Sequence, residues 1–139
     1  MRLEHTLVVA RPPEEVFAFL ADPDNLPRWQ TGVVEVRREG DRRHVEVRSF
    51  LGRRLEQTLV VTEYDPPRRL DLAVVEGPLP LRISHTLEAE DGGTRILFVG
   101  EGEPRGLPRL LAGVAAKAVE LQSQHDFAKL KRILEGGEE

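Results

Sequence analysis

Histidine has the widest chemistry near neutral pH of any residue in this chain, and its four copies, His5, His44, His85 and His125, fall on four separate expected elements. No two of them have the i, i+4 helical spacing of a zinc site, and there is no H-E-x-x-H segment. Cysteine is absent, which removes thiolate nucleophiles, thiolate metal ligands and disulfides together. No G-x-S-x-G turn occurs; Gly92-Gly93 reads as part of a hairpin, and the glycines from Gly100 to Gly106 lack the spacing and the Lys-Ser/Thr of a phosphate loop. Carboxylates gather only in surface-like runs such as Glu88, Glu90 and Asp91. Neither a metal nor a cofactor is expected.

Two polar positions stand in otherwise apolar phases. His85 shares the phase of Leu81, Ile83 and Leu87, so it points to the inner side of a sheet, where an imidazole could hydrogen-bond a ligand or act as general acid or base. The plainer alternative is a core histidine satisfied by a neighbour or a water. Gln57 likewise shares the phase of Leu55, Leu59 and Val61; a neutral amide there suits orienting a carbonyl or hydroxyl, with the same plain alternative.

The elements that position them follow from punctuation and period. Leu3, His5, Leu7 and Val9 alternate with polar residues as a half-buried strand. Pro12 and Pro13, followed by Glu14 and Glu15, suit the first turn of a helix whose apolar side is Val16, Phe17, Phe19 and Leu20. Asp22-Pro23 stops it; one further turn runs from Pro23 to Leu26, and Pro27 is expected to end that turn just before Trp29. Strands then run over 33–38 and 44–50, turned through Glu39-Gly40-Asp41 with Gly40 free for a positive φ, and over 55–64. Leu70, Leu72 and Val74 mark the next, and Leu79, Leu81, Ile83, His85 and Leu87 another. Asp91-Gly92-Gly93 turns the chain into 94–101. Short turns between successive strands make an antiparallel meander that curls as its strands twist.

The last element is a helix from about Pro108 to Leu134, ended by Gly136-Gly137. Leu107, Leu110, Leu111, Val114, Ala118 and Leu121 lie along one side of its first half, and Phe127, Leu130 and Leu134 along another side of the second. Extending the second face backwards meets Ser123, Val119, Ala116 and Ala112, all small or short. Small side chains opposite a concave sheet leave room for a ligand; alternatively the alanines are simply good helix formers and the core closes over them.

The Pro-Pro-Glu-x-Val-Phe helix, the Asp-Pro-x-x-x-Pro-x-Trp corner from Asp22 to Trp29, the Asp65-Pro66-Pro67-Arg68 corner, the Gly92-Gly93-Thr94 turn and a final helix ending Leu-Lys-x-x-Leu-Glu carry a resemblance along the whole chain. It resembles the START-like or helix-grip (SRPBCC) superfamily, in its polyketide cyclase/dehydrase-like branch. The resemblance implies an α+β helix-grip fold: a seven-stranded antiparallel sheet curled around a long C-terminal helix, with two short helices between strands one and two. It also implies that Trp29 lines the mouth of a cavity; a structural plug is the alternative.

At 139 residues and 40% apolar, one START-like ligand-binding domain over residues 1–139 is expected. A net charge of −4, with arginines interspersed among Asp and Glu, argues against nucleic acid as partner. No segment approaches the apolar length of a membrane span and no signal peptide is evident, so a cytoplasmic protein is expected. The expected site is an enclosed apolar pocket of roughly a few hundred Å³, lined by Ala112, Ala116, Val119 and Ser123 above and by Leu72, Ile83, His85 and Phe98 below, with Trp29 and Gln57 beside it. Because the inward phases are mostly Leu, Val, Ile and Phe, binding or carrying a hydrophobic small molecule, such as a lipid, quinone, polyketide or aromatic compound, is preferred over catalysis. The alternative is a cyclase or dehydratase-type enzyme using His85 as general acid/base, and whether the chain is an enzyme stays open. A third reading is an interaction module in which Leu97 and Val99 are covered by a partner or by a second copy in a homodimer.

Overall fold

In the computed structural model of the chain, residues 2–50, 52–78, 80–102 and 109–136 are described; for Phe50, residues 109–112 and Ala115 this holds for the backbone alone. The order is β1 (Arg2–Val9), α1 (Pro13–Ala21), a 3-10 turn (Pro23–Asn25), α2 (Leu26–Trp29), β2 (Val33–Gly40), β3 (Arg43–Phe50), β4 (Arg53–Asp65), β5 (Arg69–Glu76), β6 (Leu81–Glu90), β7 (Gly93–Gly102) and α3 (Arg109–Leu134). All seven strands form one antiparallel sheet in the order β1-β7-β6-β5-β4-β3-β2. This is the expected seven-stranded sheet with its long C-terminal helix. Strands β1 and β2, neighbours in sequence, take opposite edges, so the intervening helices must cross the end of the curled sheet.

Local chemistry sets the boundaries. Pro12 caps α1 in an extended conformation and Pro13 opens it, where a missing N–H costs nothing. Asp22 ends α1 and accepts a hydrogen bond from the Asp24 amide at 3.0 Å, starting the 3-10 turn. Pro27 does not end a turn as expected: it sits in the first turn of α2, which the Gln30 amide closes on the Leu26 carbonyl at 2.8 Å. Proline is tolerated at a helix start for the same reason at both places. A second correction concerns the β2–β3 hairpin, where Gly40 stays in the strand opposite Arg43, without a positive φ, and the turn is Asp41-Arg42. Asp91 (φ 46°) and Gly92 (φ 81°) form a two-residue hairpin turn, the left-handed pair that matches strand twist. Gly93 is a close approach: a Cβ there would lie 2.3 Å from the Val9 carbonyl oxygen. Positions 79, 107, 108 and 137 of the sequence expectations lie outside the described residues, as do the side chains of Leu110 and Leu111.

The core runs between sheet and helices. Val16 and Phe17 of α1, Trp29 of α2 and Phe127 and Leu130 of α3 close on Leu7, Val9, Leu70, Leu87, Ile96 and Phe98. Among the described side chains of α3 the Phe127 face turns inward, while Val114 and Leu121 of the other stripe are 65% and 55% exposed. At 1.5 Å per residue α3 is about 39 Å long, and it is anchored at its end by the Glu135 carboxylate, which accepts the Ala10 amide at 2.9 Å. That bond, with Lys131 beside it, holds the Glu135 carboxyl below its ordinary range.

Candidate functional site

Cross-strand pairs place side chains on a common face, so the register lays out the concave wall in rows. One row reads His5, Phe98, His85, Leu70 across β1, β7, β6 and β5. The next reads Leu3, Gly100, Ile83, Leu72, Val61, reaching β4. Further along, His44 of β3 lies opposite Leu59 of β4. Between these rows and the helices is a mostly apolar cavity of about 230 Å³. Leu20, Ala21, Leu26 and Trp29 close it at one end, and Val119, Gln122, Ser123, Asp126 and Phe127 of α3 cover it. It is not sealed as expected, because its lining runs out to Arg38, Gly40, Asp41 and Arg42, all exposed, at the β2–β3 hairpin.

Of the residues expected there, Trp29, Leu72, Ile83, His85, Phe98, Val119 and Ser123 meet at this cavity. Trp29 is 5% exposed and packs at 6.4 Å from the Phe98 ring and 5.9 Å from Phe127, inside the site rather than at its mouth. Gln57 shares the concave phase, opposite Glu46, yet is not among the lining residues. The end of β5 covers it: a Cβ on Gly77 would stand 2.9 Å from its Cγ. Ala116 is half-buried and also outside the lining, while the side chain of Ala112 lies outside the described residues.

His85 is fully inside. Its Nδ1 lies 2.8 Å from the Leu70 carbonyl oxygen, which can only accept, so Nδ1 carries the hydrogen and the lone pair of the neutral ring is on Nε2. Burial lowers its pKa, and its ring meets Phe98 edge-on at 5.2 Å. His5 stacks on Phe127 with centroids 4.3 Å apart, and desolvation lowers its pKa too.

Sequence reasoning missed the polar group on β3. His44 and Glu46, each 4% exposed, and Arg48 all line the cavity. Arg48 donates from Nε to Glu46 Oε1 at 3.1 Å and from Nη2 to Gln30 Oε1 at 2.7 Å. The pKa of His44 is lowered, chiefly by desolvation. Asp126 of α3, 6% exposed, accepts from the Thr31 amide and hydroxyl at 3.2 and 2.8 Å, tying α3 to the segment after α2. The available signal was the alternation of His44, Glu46 and Arg48, which the intervening Val45 and Val47 made look like an outer phase.

The arrangement can bury an apolar body, and it can offer neutral imidazoles for hydrogen bonding or proton transfer. Among the described residues no group of three or more His, Asp or Glu side chains could hold a metal ion, and no helix is long and apolar enough to cross a membrane.

Several solved structures share this architecture. The Zhui aromatase/cyclase from Streptomyces sp. R1128 is 20% identical, with a TM-score of 0.79 over 97% of this chain and 93% of that one. A protein of Thermus thermophilus is 22% identical, with a TM-score of 0.76 over 97% and 94%. Ara h 8.0201 is 18% identical, with a TM-score of 0.71 over 96% and 97%. These likenesses establish the helix-grip fold. Among curated protein sequences none matches the chain. The sequence pattern of one family matches residues 1–135, and with that span nearly the whole fold and its cavity are covered: the chain belongs to the polyketide cyclase/dehydrase and lipid transport family.

Proposed function

We propose that this chain binds and carries an apolar small molecule, a lipid, quinone, polyketide or aromatic compound, in the cavity between the sheet and α3. The cavity itself carries the reading: about 230 Å³ bounded mostly by aliphatic and aromatic side chains, in an interior that ordinarily packs without voids larger than a water. Gly100 adds to it, since a Cβ there would meet nothing within 4 Å. Native mass spectrometry of freshly purified protein tests this, with uptake of the apolar dye N-phenyl-1-naphthylamine as a second measure. A mass adduct or saturable dye uptake is expected, and Gly100→Leu should weaken dye binding roughly tenfold by filling the space. Absence of both adduct and uptake in the wild type overturns the reading.

A second reading is favoured by one observation. His85 is buried and neutral, with its Nδ1–H held by the Leu70 carbonyl and its Nε2 left as a base. In this reading it is the general acid/base of a cyclase or dehydratase-type reaction, as the aromatase/cyclase activity in one structural neighbour's name would suggest. If the protein only binds, His85→Phe should keep or raise affinity for an apolar ligand, because the replaced group no longer has to be desolvated. Turnover of a screened quinone, fatty acid or flavonoid-like aromatic by wild type, abolished in His85→Phe while binding survives, would establish catalysis instead.

A further inference from the structure

At the β3 end of the cavity one lining side chain carries a buried polar atom that no contact among the described residues satisfies. His44 lines the cavity and is 4% exposed, and its Nε2 is buried without a hydrogen-bond partner. Buried ring nitrogens are ordinarily paired, and His85 of the same cavity is, through Leu70. The charged groups around His44 are largely engaged: at the mouth Arg42 lies 4.1 Å over the Tyr64 ring and Arg43 pairs with Glu39 at 3.2 Å. Glu46 is engaged by Arg48, whose other bond goes to Gln30. At the rim, Arg38 pairs with Asp22 and with Asp24 at 3.1 Å. The adjoining wall, Leu59, Val61 and Leu72, is aliphatic.

Resting on the reading that the cavity holds an apolar small molecule, we infer that His44 is the polar anchor of that ligand and that the ligand carries a neutral hydroxyl, phenolic or alcoholic, on its apolar body. A hydroxyl both donates and accepts, so it satisfies Nε2 in whichever tautomer the ring adopts. A bare hydrocarbon leaves the nitrogen unpaired. A carboxylate would shed its hydration beside Glu46, where the nearby guanidinium of Arg48 is already committed to two acceptors. Desolvation keeps the imidazole neutral and so removes the cation that an acidic head group would seek.

Three probes of one shape separate the alternatives: naphthalene, 2-naphthol and 2-naphthoate, titrated calorimetrically at neutral pH into wild type and His44→Leu. The inference expects 2-naphthol to bind wild type about five- to tenfold more tightly than naphthalene, the size of one net hydrogen bond, and 2-naphthoate to bind no better than naphthalene. In His44→Leu the advantage of the hydroxyl should vanish while naphthalene still binds. Nitrogen-15 imidazole spectra of the wild type give a measure that does not depend on the variant folding: the His44 Nε2 resonance should move with 2-naphthol and not with naphthalene. Naphthalene binding with no hydroxyl advantage, or an advantage that survives His44→Leu with the His44 resonance unmoved, overturns the anchor and leaves the cavity reading standing. Failure of all three probes to bind overturns both.

Discussion

The two ends of the cavity solve the same burial problem differently. Along β7, β6 and β5 the concave row is aromatic and closed: Phe98 meets Phe127 at 4.4 Å, Trp29 fills the gap, and the one buried polar ring, His85, has its donor satisfied by a main-chain carbonyl. Along β3 the same concave phase reads His44, Glu46, Arg48, with an ion pair and a buried nitrogen left over. The first end is held by packing and the second by polar contacts beside open space. One curled sheet thus supplies an apolar floor and a polar wall, an arrangement that suits the amphipathic ligand proposed above.

The largest effect that would test this contrast is in packing. Leu130, 0% exposed, sits within the aromatic end, and Leu130→Ala should cost about 2–5 kcal/mol as a buried truncation. Leu59, 3% exposed, already borders the cavity at the other end, so Leu59→Ala should fall at or below about 2 kcal/mol, because less packing is lost beside existing space. Urea melts giving equal losses would erase the distinction between a packed and an open end.

A smaller effect separates the histidines. His85→Leu removes the ring's buried hydrogen bond to the Leu70 carbonyl and should lose about 0.5–1.5 kcal/mol. His44→Leu removes a ring whose Nε2 makes no bond to any described residue and should change stability by less than about 1 kcal/mol in the absence of ligand. Thermal melts with the order reversed would mean that His44 is the structural histidine.

The smallest effect is in pH. His5, His44 and His85 all have folded pKa values below the ordinary 6.5, each chiefly through desolvation. The unfolded chain therefore binds protons first as pH falls, and the stability that these neutral rings contribute is complete above 6.5 and lost as pH drops below it toward the folded values. Denaturant midpoints should decline between pH 7.5 and 5.5, and His85→Leu should flatten part of that decline. A profile that rises on acidification would contradict the burial of these rings.

Much of this architecture was legible in the sequence because it is written in local terms. Pro12-Pro13 and Asp22-Pro23 bound α1 through φ restriction and missing amides, Asp91-Gly92 demands a left-handed turn, and period-two alternation put His85, Ile83 and Leu72 on one side of the sheet with the correct neighbours. What strand alternation cannot give is which of two acceptable phases faces inward when both become buried. In β3, Val45 and Val47 look like the core phase, yet they lie on the convex side at 6% and 3% exposure. The ion pair from Arg37 Nη2 on β2 to Glu56 Oε1 on β4, at 3.0 Å, spans β3 on that side. His44 and Glu46 owe their burial to the opposite face, through elements far away in the chain. The same holds for Gln57, which the end of β5 covers, and for Val114 and Leu121 on α3, which face solvent because Phe127 and Leu130 decide how the helix rolls onto the sheet. Turn chemistry and period are properties of a few consecutive residues and are determined by the sequence alone; the side from which a strand or helix is covered depends on long-range packing, and only the tertiary structure decides it.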